Sequence, residues 1–222
     1  MLPERFSLWQ KTLNWQPTPQ QQVKFQQLYQ GILQGNQKLN LTRITQPEDF
    51  WEKHLWDSLT GISPWLNLEQ SPAQIIDIGT GAGFPGLPVA IVKPQSTITL
   101  LDSTRKKITF LDELIAQLNL SNIKTIVGRA ESVNLVPRYE KYFDLALVRA
   151  VAAPTICAKY ALPFLKTGGT AVLYRGNWTV EEQQELAEIV SSGGGKIESI
   201  QPFTTPFTQS ARHCVVLKKI WD

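Results

Sequence analysis

The stretch that decides the fold reads Gln74-Ile75-Ile76-Asp77-Ile78-Gly79-Thr80-Gly81-Ala82-Gly83-Phe84-Pro85-Gly86. A short apolar run ends in an acid, and a glycine-rich turn and a helix-like segment follow it. This order is typical of the first strand of an open α/β sheet, whose carboxyl end forms a ligand site. Alternating glycines let the backbone turn sharply and let a ligand lie against bare main chain. We therefore expect Asp77 and the free amides after it to face a bound ligand.

Strand and helix patterns alternate along the chain after this stretch. Apolar runs predict strands at 75–78, 97–102, 123–127, 143–148, 170–174, 196–203 and 213–219. Helical spacing predicts helices at 86–93, 152–165 and 179–190, and one more that Ser103 is expected to cap. The last two strands have no helix between them, so we expect them to pair antiparallel at one edge. The pattern predicts an α/β fold with a seven-stranded, mostly parallel sheet and helices on both faces.

The N-terminal part of the chain has helical patterns only. Apolar spacing predicts helices over 4–14 and from Pro19 to Gly35, where the second helix is expected to end. A polar, turn-prone segment follows, and a third helix is expected to begin at Pro47. We therefore expect an N-terminal helical extension, residues 1–66, packed on a core domain of residues 67–222 to form one compact unit.

The third predicted helix carries His54, Asp57 and Ser58 on one polar face, because their spacing is i, i+3 and i+4. This face either forms a local hydrogen-bonded cluster or overlooks the cofactor or substrate, and the sequence leaves both interpretations open. A metal site is not predicted, because one His and one Asp lack further ligands nearby. A hydrolytic triad is also disfavoured, since three groups on one helical turn cannot point at one another in the required chain.

Composition and charge narrow the class of protein. The chain has 222 residues, of which 42% are hydrophobic and 18% charged, as in ordinary globular proteins. It has no apolar run long enough to span a membrane and no signal-peptide pattern at its start, so a cytoplasmic protein is expected. Cys157 and Cys214 are expected to be buried thiols. The net charge of +3 permits a nucleic-acid partner without requiring one.

Two kinds of cofactor compete for the glycine-rich loop. Residues 81–86 satisfy G-x-G-x-x-G, and Asp102 follows about 20 residues later, as in dinucleotide-binding folds. However, the charge of Asp77 would repel a pyrophosphate, and Pro85 and Pro88 remove amide donors that a phosphate would use. The loop therefore favours a cofactor without phosphate.

S-adenosylmethionine meets that condition. Its ammonium group suits the acid Asp77, and its ribose hydroxyls suit the carboxylate of Asp102 at the end of the second strand. Ala130 and Glu131 follow the third strand, where the adenine would lie. The alternative that Asp102 only caps the next helix stays open.

The sequence resembles the bacterial 16S rRNA guanine-N7 methyltransferases, also called the glucose-inhibited division protein B family. The resemblance extends from about Tyr29 to Lys218. Its motifs are Asn36-Gln37-Lys38-Leu39-Asn40-Leu41-Thr42, His54-Leu55-Trp56-Asp57-Ser58, 77–88, Leu101-Asp102-Ser103 with Arg105-Lys106-Lys107, Gly128-Arg129-Ala130-Glu131, Val148-Arg149-Ala150 and Arg212-His213. Gly35 and Arg175 depart from the family, which often has Trp and Lys there; the second change preserves charge.

The resemblance implies a class I S-adenosylmethionine-dependent, Rossmann-like methyltransferase that transfers a methyl group to N7 of one guanine in 16S rRNA of the small ribosomal subunit. It implies cofactor contacts at the loop, at the 102–104 turn, after the third strand and at the end of the fourth strand. These residues are Asp77, Gly79, Thr80, Gly81, Gly83, Phe84, Asp102, Ser103, Thr104, Ala130, Glu131 and Arg149. Arg149 is also expected to lie beside the methyl-donor end.

N7 of guanine has a lone pair and no proton to lose, so the expected reaction is direct in-line attack without a general base. Arg149 is a candidate donor to guanine O6 or to a phosphate. His54 and Asn40, with Arg43, are candidates for closing over the guanine or the cofactor. The candidate RNA-binding side chains are Arg43, Arg105, Lys106, Lys107, Arg129, Arg138, Lys141, Arg175, Arg212, Lys218 and Lys219.

The expected partners are therefore 16S rRNA and the small ribosomal subunit, with no membrane and no metal, and the protein is expected to be a monomer. Two rival hypotheses stay open. One is a methyltransferase for a small molecule or a protein on the same fold, and the other is a non-catalytic dinucleotide-binding protein.

Overall fold

The computed structural model describes residues 1–69 and 72–221. Its helices are α1 (Phe6–Leu13), α2 (Pro19–Leu39), α3 (Pro47–Phe50), α4 (Asp57–Thr60), α5 (Gly86–Val92), α6 (Arg105–Gln117), α7 (Ala130–Val133), α8 (Pro154–Ala161) and α9 (Val180–Ser192). A π-helix (Trp51–Trp56) joins α3 to α4, and short 3₁₀ turns lie at Ser63–Trp65 and Leu162–Phe164. The strands are β1 (Gln74–Ile78), β2 (Thr97–Asp102), β3 (Ile123–Val127), β4 (Phe143–Arg149), β5 (Leu165–Arg175), β6 (Gly195–Thr204) and β7 (Ala211–Lys219).

The strands form one seven-stranded sheet in the order β3-β2-β1-β4-β5-β7-β6. The first five strands pair in parallel, and β7 runs antiparallel to both β5 and β6. This confirms the predicted antiparallel pair at one edge. The direction of winding reverses between β1 and β4, which is where open α/β sheets place their ligand sites. Ile78 lies opposite Val148 in this pair, so the chain leaves both strands side by side at Gly79 and Arg149.

Apolar side chains cover both faces of the sheet, as the predicted α/β architecture requires. One core joins α1, α2 and the segment 50–62 to α5, α6 and one face of the sheet. The other core joins α7, α8 and α9 to the opposite face. The N-terminal helices therefore share a single apolar core with the sheet. In the described part of the chain, no helix has the length and apolar character needed to cross a membrane.

The second helix does not end at Gly35, as the sequence suggested, but continues to Leu39. It stops at Asn40, whose φ of 48° is left-handed. Gly35 is buried, and a Cβ there would lie 2.2 Å from the ring of Phe110 on α6. The glycine therefore allows close packing of two helices and is not a stop signal.

Three further predictions about elements need correction. The third helix is not a uniform α-helix, because the π-helix interrupts it, and Asp57 N–H donates to the carbonyl of Glu52, five residues back. Ser103 does not cap α6; the cap position is Thr104, and its side chain makes no capping hydrogen bond. Of the helix predicted at 152–165, the α-helical part ends at Ala161. Because β5 already begins at Leu165, Gly168 and Gly169 lie within that strand.

Candidate functional site

The candidate site lies at the carboxyl ends of β1, β2, β3 and β4. A cavity of about 160 Å³ opens there. Its lining contains the predicted residues Gly79, Asp102, Ser103, Ala130 and Glu131, together with Val151 and Tyr160, which the sequence analysis did not single out. The sheet thus brings the residues predicted from three separate motifs to one groove.

Asp77 holds the glycine-rich loop from beneath. Its Oδ2 accepts hydrogen bonds from Thr80 Oγ1 at 2.6 Å and from the N–H of Gly86 at 2.7 Å. The side chain is 0% exposed, and burial raises the pKa of this carboxyl to about 6. In contrast to the expectation that it faces the ligand, the carboxylate lies under the loop, where it positions the backbone that lines the groove. Its second oxygen, Oδ1, is buried and has no hydrogen-bond partner.

Gly86 is required for that contact. A Cβ at this position would lie 2.8 Å from Asp77 Oδ2 and 2.2 Å from a methyl carbon of Leu100. A side chain at 86 would therefore push the start of α5 away from Asp77. On the groove side, Gly79 has a φ of 71°, and a Cβ there would meet a methyl carbon of Val151 at 2.5 Å. Neighbouring atoms thus leave no room for a side chain at either glycine, and the left-handed backbone of Gly79 also favours glycine there.

Asp102 links the loop to the start of α6. Its Oδ2 accepts the N–H of Gly81 at 2.9 Å, and its Oδ1 accepts the N–H of Thr104 at 2.8 Å. Lys107 Nζ lies 3.8 Å from Oδ2. A carboxylate has about four lone-pair sites, so each oxygen keeps capacity for a second donor. The side chain therefore orders the turn before α6 and can still accept ribose hydroxyls.

Arg149, the last residue of β4, is held by three acceptors from the 53–57 segment. Its Nη1 donates to the carbonyl of Lys53 and to Asp57 Oδ2, both at 2.8 Å. Its Nη2 lies 3.0 Å from His54 Nδ1. The guanidinium also lies 5.9 Å from the ring centroid of Phe84 in the glycine-rich loop. The predicted residues Arg149, His54 and Phe84 therefore meet in one cluster.

The contacts of His54 fix its tautomer. An arginine can only donate, so Nδ1 of His54 accepts from Arg149 and the ring proton lies on Nε2. That proton is donated to Thr42 Oγ1, which lies 2.9 Å away. Burial, and then the charge of Arg149, lower the pKa of His54 to about 3. The ring is therefore neutral, and it stacks on Phe84 with a centroid separation of 4.3 Å.

Asp57 and Ser58 complete the polar face that the sequence predicted. Burial raises the pKa of the Asp57 carboxyl, and the ion pair with Arg149 opposes that shift. The Ser58 hydroxyl is buried and donates to the carbonyl of His54 in its own helical turn, and the Ser58 carbonyl accepts the hydroxyl of Tyr174 at 2.7 Å. The structure confirms the first interpretation of this face, because its residues form a hydrogen-bonded cluster. The cluster also contacts Phe84 of the glycine-rich loop, and the second interpretation, that the face overlooks the cofactor or substrate, stays a prediction. Among the described residues, no group of three or more His, Cys, Asp or Glu could hold a metal ion.

The remaining predicted residues differ in whether their side chains are exposed or already engaged with other groups. Asn40 is exposed at the end of α2, two residues before Thr42. Thr42 N–H in turn donates to Asn36 Oδ1 at 2.9 Å. Lys219 is buried and its Nζ donates to the carbonyl of Gly193 at 2.9 Å, so its proposed role in RNA binding is wrong. Arg175 is engaged with the carbonyl of Ala152 at 3.1 Å and with Glu182 at 2.9 Å.

Glu52 is a buried anchor beside the site that the sequence did not indicate. It is fully buried in the π-helix, and its carboxylate accepts from the N–H of Phe207, from the N–H of Thr208 at 3.0 Å and from Thr208 Oγ1 at 2.7 Å. It therefore fastens the loop between β6 and β7 to the segment that holds Arg149. The local sequence contains no signal for it, because Glu52 stands next to Lys53, and neighbouring charges usually lie on an exposed face.

Comparison with known proteins identifies the family of the chain. Residues 21–215 match the family described as rRNA small subunit methyltransferase G. The ribosomal RNA small subunit methyltransferase G of Nostoc punctiforme is 60% identical over 222 residues, covering 99% of this chain and 91% of that protein. The protein of the same name from Microcystis aeruginosa is 54% identical, covering 99% of each chain.

Solved structures share the fold at low identity. The chain is similar to M. jannaschii TYW2 in complex with AdoMet, with a TM-score of 0.54, 15% identity, and coverage of 74% of this chain and 77% of that one. It is also similar to NSun6 from Pyrococcus horikoshii with SFG, with a TM-score of 0.58, 17% identity, and coverage of 78% and 55%.

Proposed function

Because the chain belongs to the rRNA small subunit methyltransferase G family, whose members methylate 16S rRNA, we propose that it transfers the methyl group of S-adenosylmethionine to N7 of one guanine in this RNA. The observation that carries the choice of N7 is the neutral, fully engaged His54 beside Arg149. A ring whose two nitrogens are already hydrogen-bonded is not available as a base. N7 needs none, because it has a lone pair and no proton.

The groove fits the cofactor through its own residues. The backbone of Gly79 and Gly81 would be bare to the cofactor, and Asp102 keeps free lone pairs for ribose hydroxyls. Thr80, Gly83 and Phe84 are buried and would support the loop from behind. Ser103, Thr104, Ala130 and Glu131 would enclose the adenine end, since most of them line or border the cavity. When bound, S-adenosylmethionine supplies a methyl group activated by its sulfonium. Asp77 would act mainly by holding the loop.

Arg149 is proposed to position the guanine. Of its five N–H donors, three are used on Lys53, Asp57 and His54, so two remain for guanine O6 or a phosphate. Guanine presents O6 and N7 as neighbouring acceptors, so a donor to O6 also places N7. Holding two reactants in line can lower the barrier by roughly 7–11 kcal/mol. Asn40 and Arg43, which lie on either side of Thr42, are proposed to close over the bound base or the cofactor.

The enzyme is further proposed to act in the cytoplasm, where its substrate is assembled into the small ribosomal subunit, and to act as a monomer. Residues 1–66 and 67–222 are proposed to form one compact unit. The shared core of the N-terminal helices and the sheet supports this, as does the supply of Arg149 partners by the 53–57 segment.

The decisive experiment is incubation with labelled S-adenosylmethionine and hypomethylated 30S particles, followed by mapping of the modified base. We expect a single methylated guanine whose N7 carries the label, and loss of labelling in Arg149→Ala. Labelling at a carbon, an exocyclic nitrogen or a ribose would contradict the proposed acceptor. Transfer to a metabolite with none to the 30S particle would contradict the RNA substrate.

A further inference from the structure

A second, larger groove lies between α2 and α6. Its volume is about 820 Å³. The side chains that define this α2–α6 groove are Gln34, Gln37 and Lys38 from α2, and Arg105, Lys106 and Phe110 from α6. Phe110 packs beneath Gly35, where the missing side chain lets the two helices approach. The groove is therefore built by the same close helix contact that extends α2 beyond Gly35.

The groove carries excess positive charge. Three cations, Lys38, Arg105 and Lys106, line it against one acid, Glu113. Arg105 and Lys106 are exposed in the first turn of α6, which contains no acid and has no side-chain cap. Basic residues at a helix N-terminus are unfavourable for the helix itself, because the helix dipole is positive there. Two cations and the helix dipole thus favour an anion at the same end of the groove.

Both helices connect this groove to the candidate site. Arg105 directly follows the Asp102–Thr104 turn, and Asp102 and Ser103 of that turn line the cofactor cavity. Lys38 lies near the C-terminal end of α2, four residues before Thr42, which contacts His54. Along the chain, the two helices that form the groove therefore connect directly to the cofactor turn and to the segment that contacts His54. A polymer whose one unit reaches Arg149 would continue into the groove.

We propose that the α2–α6 groove binds the phosphodiester backbone of the substrate RNA next to the methylated guanine. Lys38, Arg105 and Lys106 neutralise phosphates, and the amides of Gln34 and Gln37 hydrogen-bond to sugar hydroxyls or base edges. This inference rests on the proposed function, because it requires an RNA substrate at Arg149. It proposes where the RNA that flanks the target guanine binds. The chemistry of methyl transfer alone does not determine that position.

The test replaces the three cations together, as Lys38→Gln/Arg105→Gln/Lys106→Gln. The matched control is Lys11→Gln/Lys124→Gln/Lys159→Gln, which removes three exposed cations that line neither cavity. For hypomethylated 30S particles, we expect the groove variant to raise KM about tenfold or more with little change in kcat. The slope of log affinity against log salt should decrease by about two, since each single-stranded phosphate contact contributes roughly 0.7. S-adenosylhomocysteine affinity should not change.

The possible outcomes separate the two proposals. If the wild-type protein methylates rRNA and the groove variant matches the control in KM and salt slope, the groove assignment is wrong while the proposed function stands. If the wild-type protein methylates no RNA, the proposed function fails and the groove assignment with it. If the groove variant loses affinity for the 30S particle but not for protein-free 16S rRNA, the groove binds a ribosomal protein, which also overturns the inference.

Discussion

The guanidinium of Arg149 and the carboxylate of Asp57 form an ion pair of 2.8 Å across 92 positions of the chain. Their side chains are only 15% and 12% exposed. Removing one partner of a buried pair leaves an uncompensated charge, which costs about 3–5 kcal/mol. We therefore expect Asp57→Asn to lower the free energy of unfolding by about 3 kcal/mol and to reduce methylation more than cofactor affinity, because Arg149 loses its orientation.

The matched control for this prediction is Lys166→Gln, which breaks the pair of Lys166 with Asp144. That pair has exposed fractions of 46% and 31%, so a change below about 1 kcal/mol is expected. Denaturant unfolding of both variants measures the difference. Equal losses of stability would show that the Arg149–Asp57 pair is no more important than a surface pair.

The neutral state of His54 predicts a specific pH dependence of stability. Its pKa is about 3 in the folded protein against an ordinary value of 6.5, so the unfolded chain takes up a proton first as the pH falls. The contribution of neutral His54 to the free energy of unfolding is therefore fully present above pH 6.5, and it is lost progressively as the pH falls towards 3. At pH 5 the loss is about 2 kcal/mol, since each pKa unit is worth about 1.36 kcal/mol.

Comparison with His54→Gln isolates this effect. Asp77 acts in the opposite sense, because its pKa is raised to about 6 and its folded form gains a proton below that value. Both proteins contain Asp77, so its contribution cancels in the difference between their free energies of unfolding. We expect the advantage of the wild-type protein over His54→Gln to shrink between pH 7 and pH 5. A difference independent of pH would contradict a neutral, buried His54.

Variants of Asp77 test whether its carboxylate supports the glycine-rich loop or contacts the cofactor directly. Asp77→Ala leaves the buried N–H of Gly86 without an acceptor, which costs about 1–3 kcal/mol. We expect S-adenosylhomocysteine binding, measured by calorimetry, to weaken about tenfold or more. Asp77→Asn keeps an acceptor oxygen and should retain most of the affinity. If Asn loses as much affinity as Ala, the charge of Asp77 acts directly on the cofactor.

The control for the Asp77 variants is Asp112→Ala. Asp112 also accepts a threonine hydroxyl, that of Thr125 at 2.7 Å, but at an exposed position away from the groove. Its removal should leave S-adenosylhomocysteine affinity unchanged. A loss equal to that of Asp77→Ala would mean that general destabilisation explains both results.

The contacts of Glu52 predict that this side chain keeps the loop between β6 and β7 in one conformation. Glu52→Ala removes the acceptor for the amides of Phe207 and Thr208, and hydrogen bonds to a charged group contribute about 1.5–3 kcal/mol each. We expect hydrogen exchange at these two amides to accelerate at least tenfold, while the amides of β1 and β4 stay protected. Glu48→Ala, which removes an exposed partner of Arg5, should change neither set. Unchanged exchange at Phe207 and Thr208 in Glu52→Ala would refute the anchoring role.

The sheet could be predicted from the sequence because its signals are local. Each strand is a short apolar run bounded by turn residues, and the alternation with helices implies a parallel sheet. Gly35 shows the limit of local signals. Its sequence context resembles a helix end, and only the position of Phe110, 75 residues further on, explains why the helix continues.

The candidate site was predictable in its members but not in their contacts. The resemblance put Phe84 and Arg149 at the cofactor and left the place of His54 open, and the structure brings the three side chains together. It could not supply the π-helix, which depends on backbone hydrogen bonds between residues five apart and has no known residue pattern here. Nor could it show that Asp77 turns under the loop, because that orientation is set by Gly86 and Thr80 together. Glu52 was missed because its partners lie 155 and 156 residues away.

The π-helix also constrains how the length of this segment can change. The π-helix already holds one residue more per turn than an α-helix, so inserting a further residue into Trp51–Trp56 would rotate everything after it. Asp57 would leave Arg149, and the Ser58 carbonyl would leave Tyr174. A substitution here alters the contacts of one side chain, whereas an insertion alters all of them together. In an alignment of related chains, we therefore expect insertions to fall outside 51–57 and Glu52, His54 and Asp57 to keep their residue types.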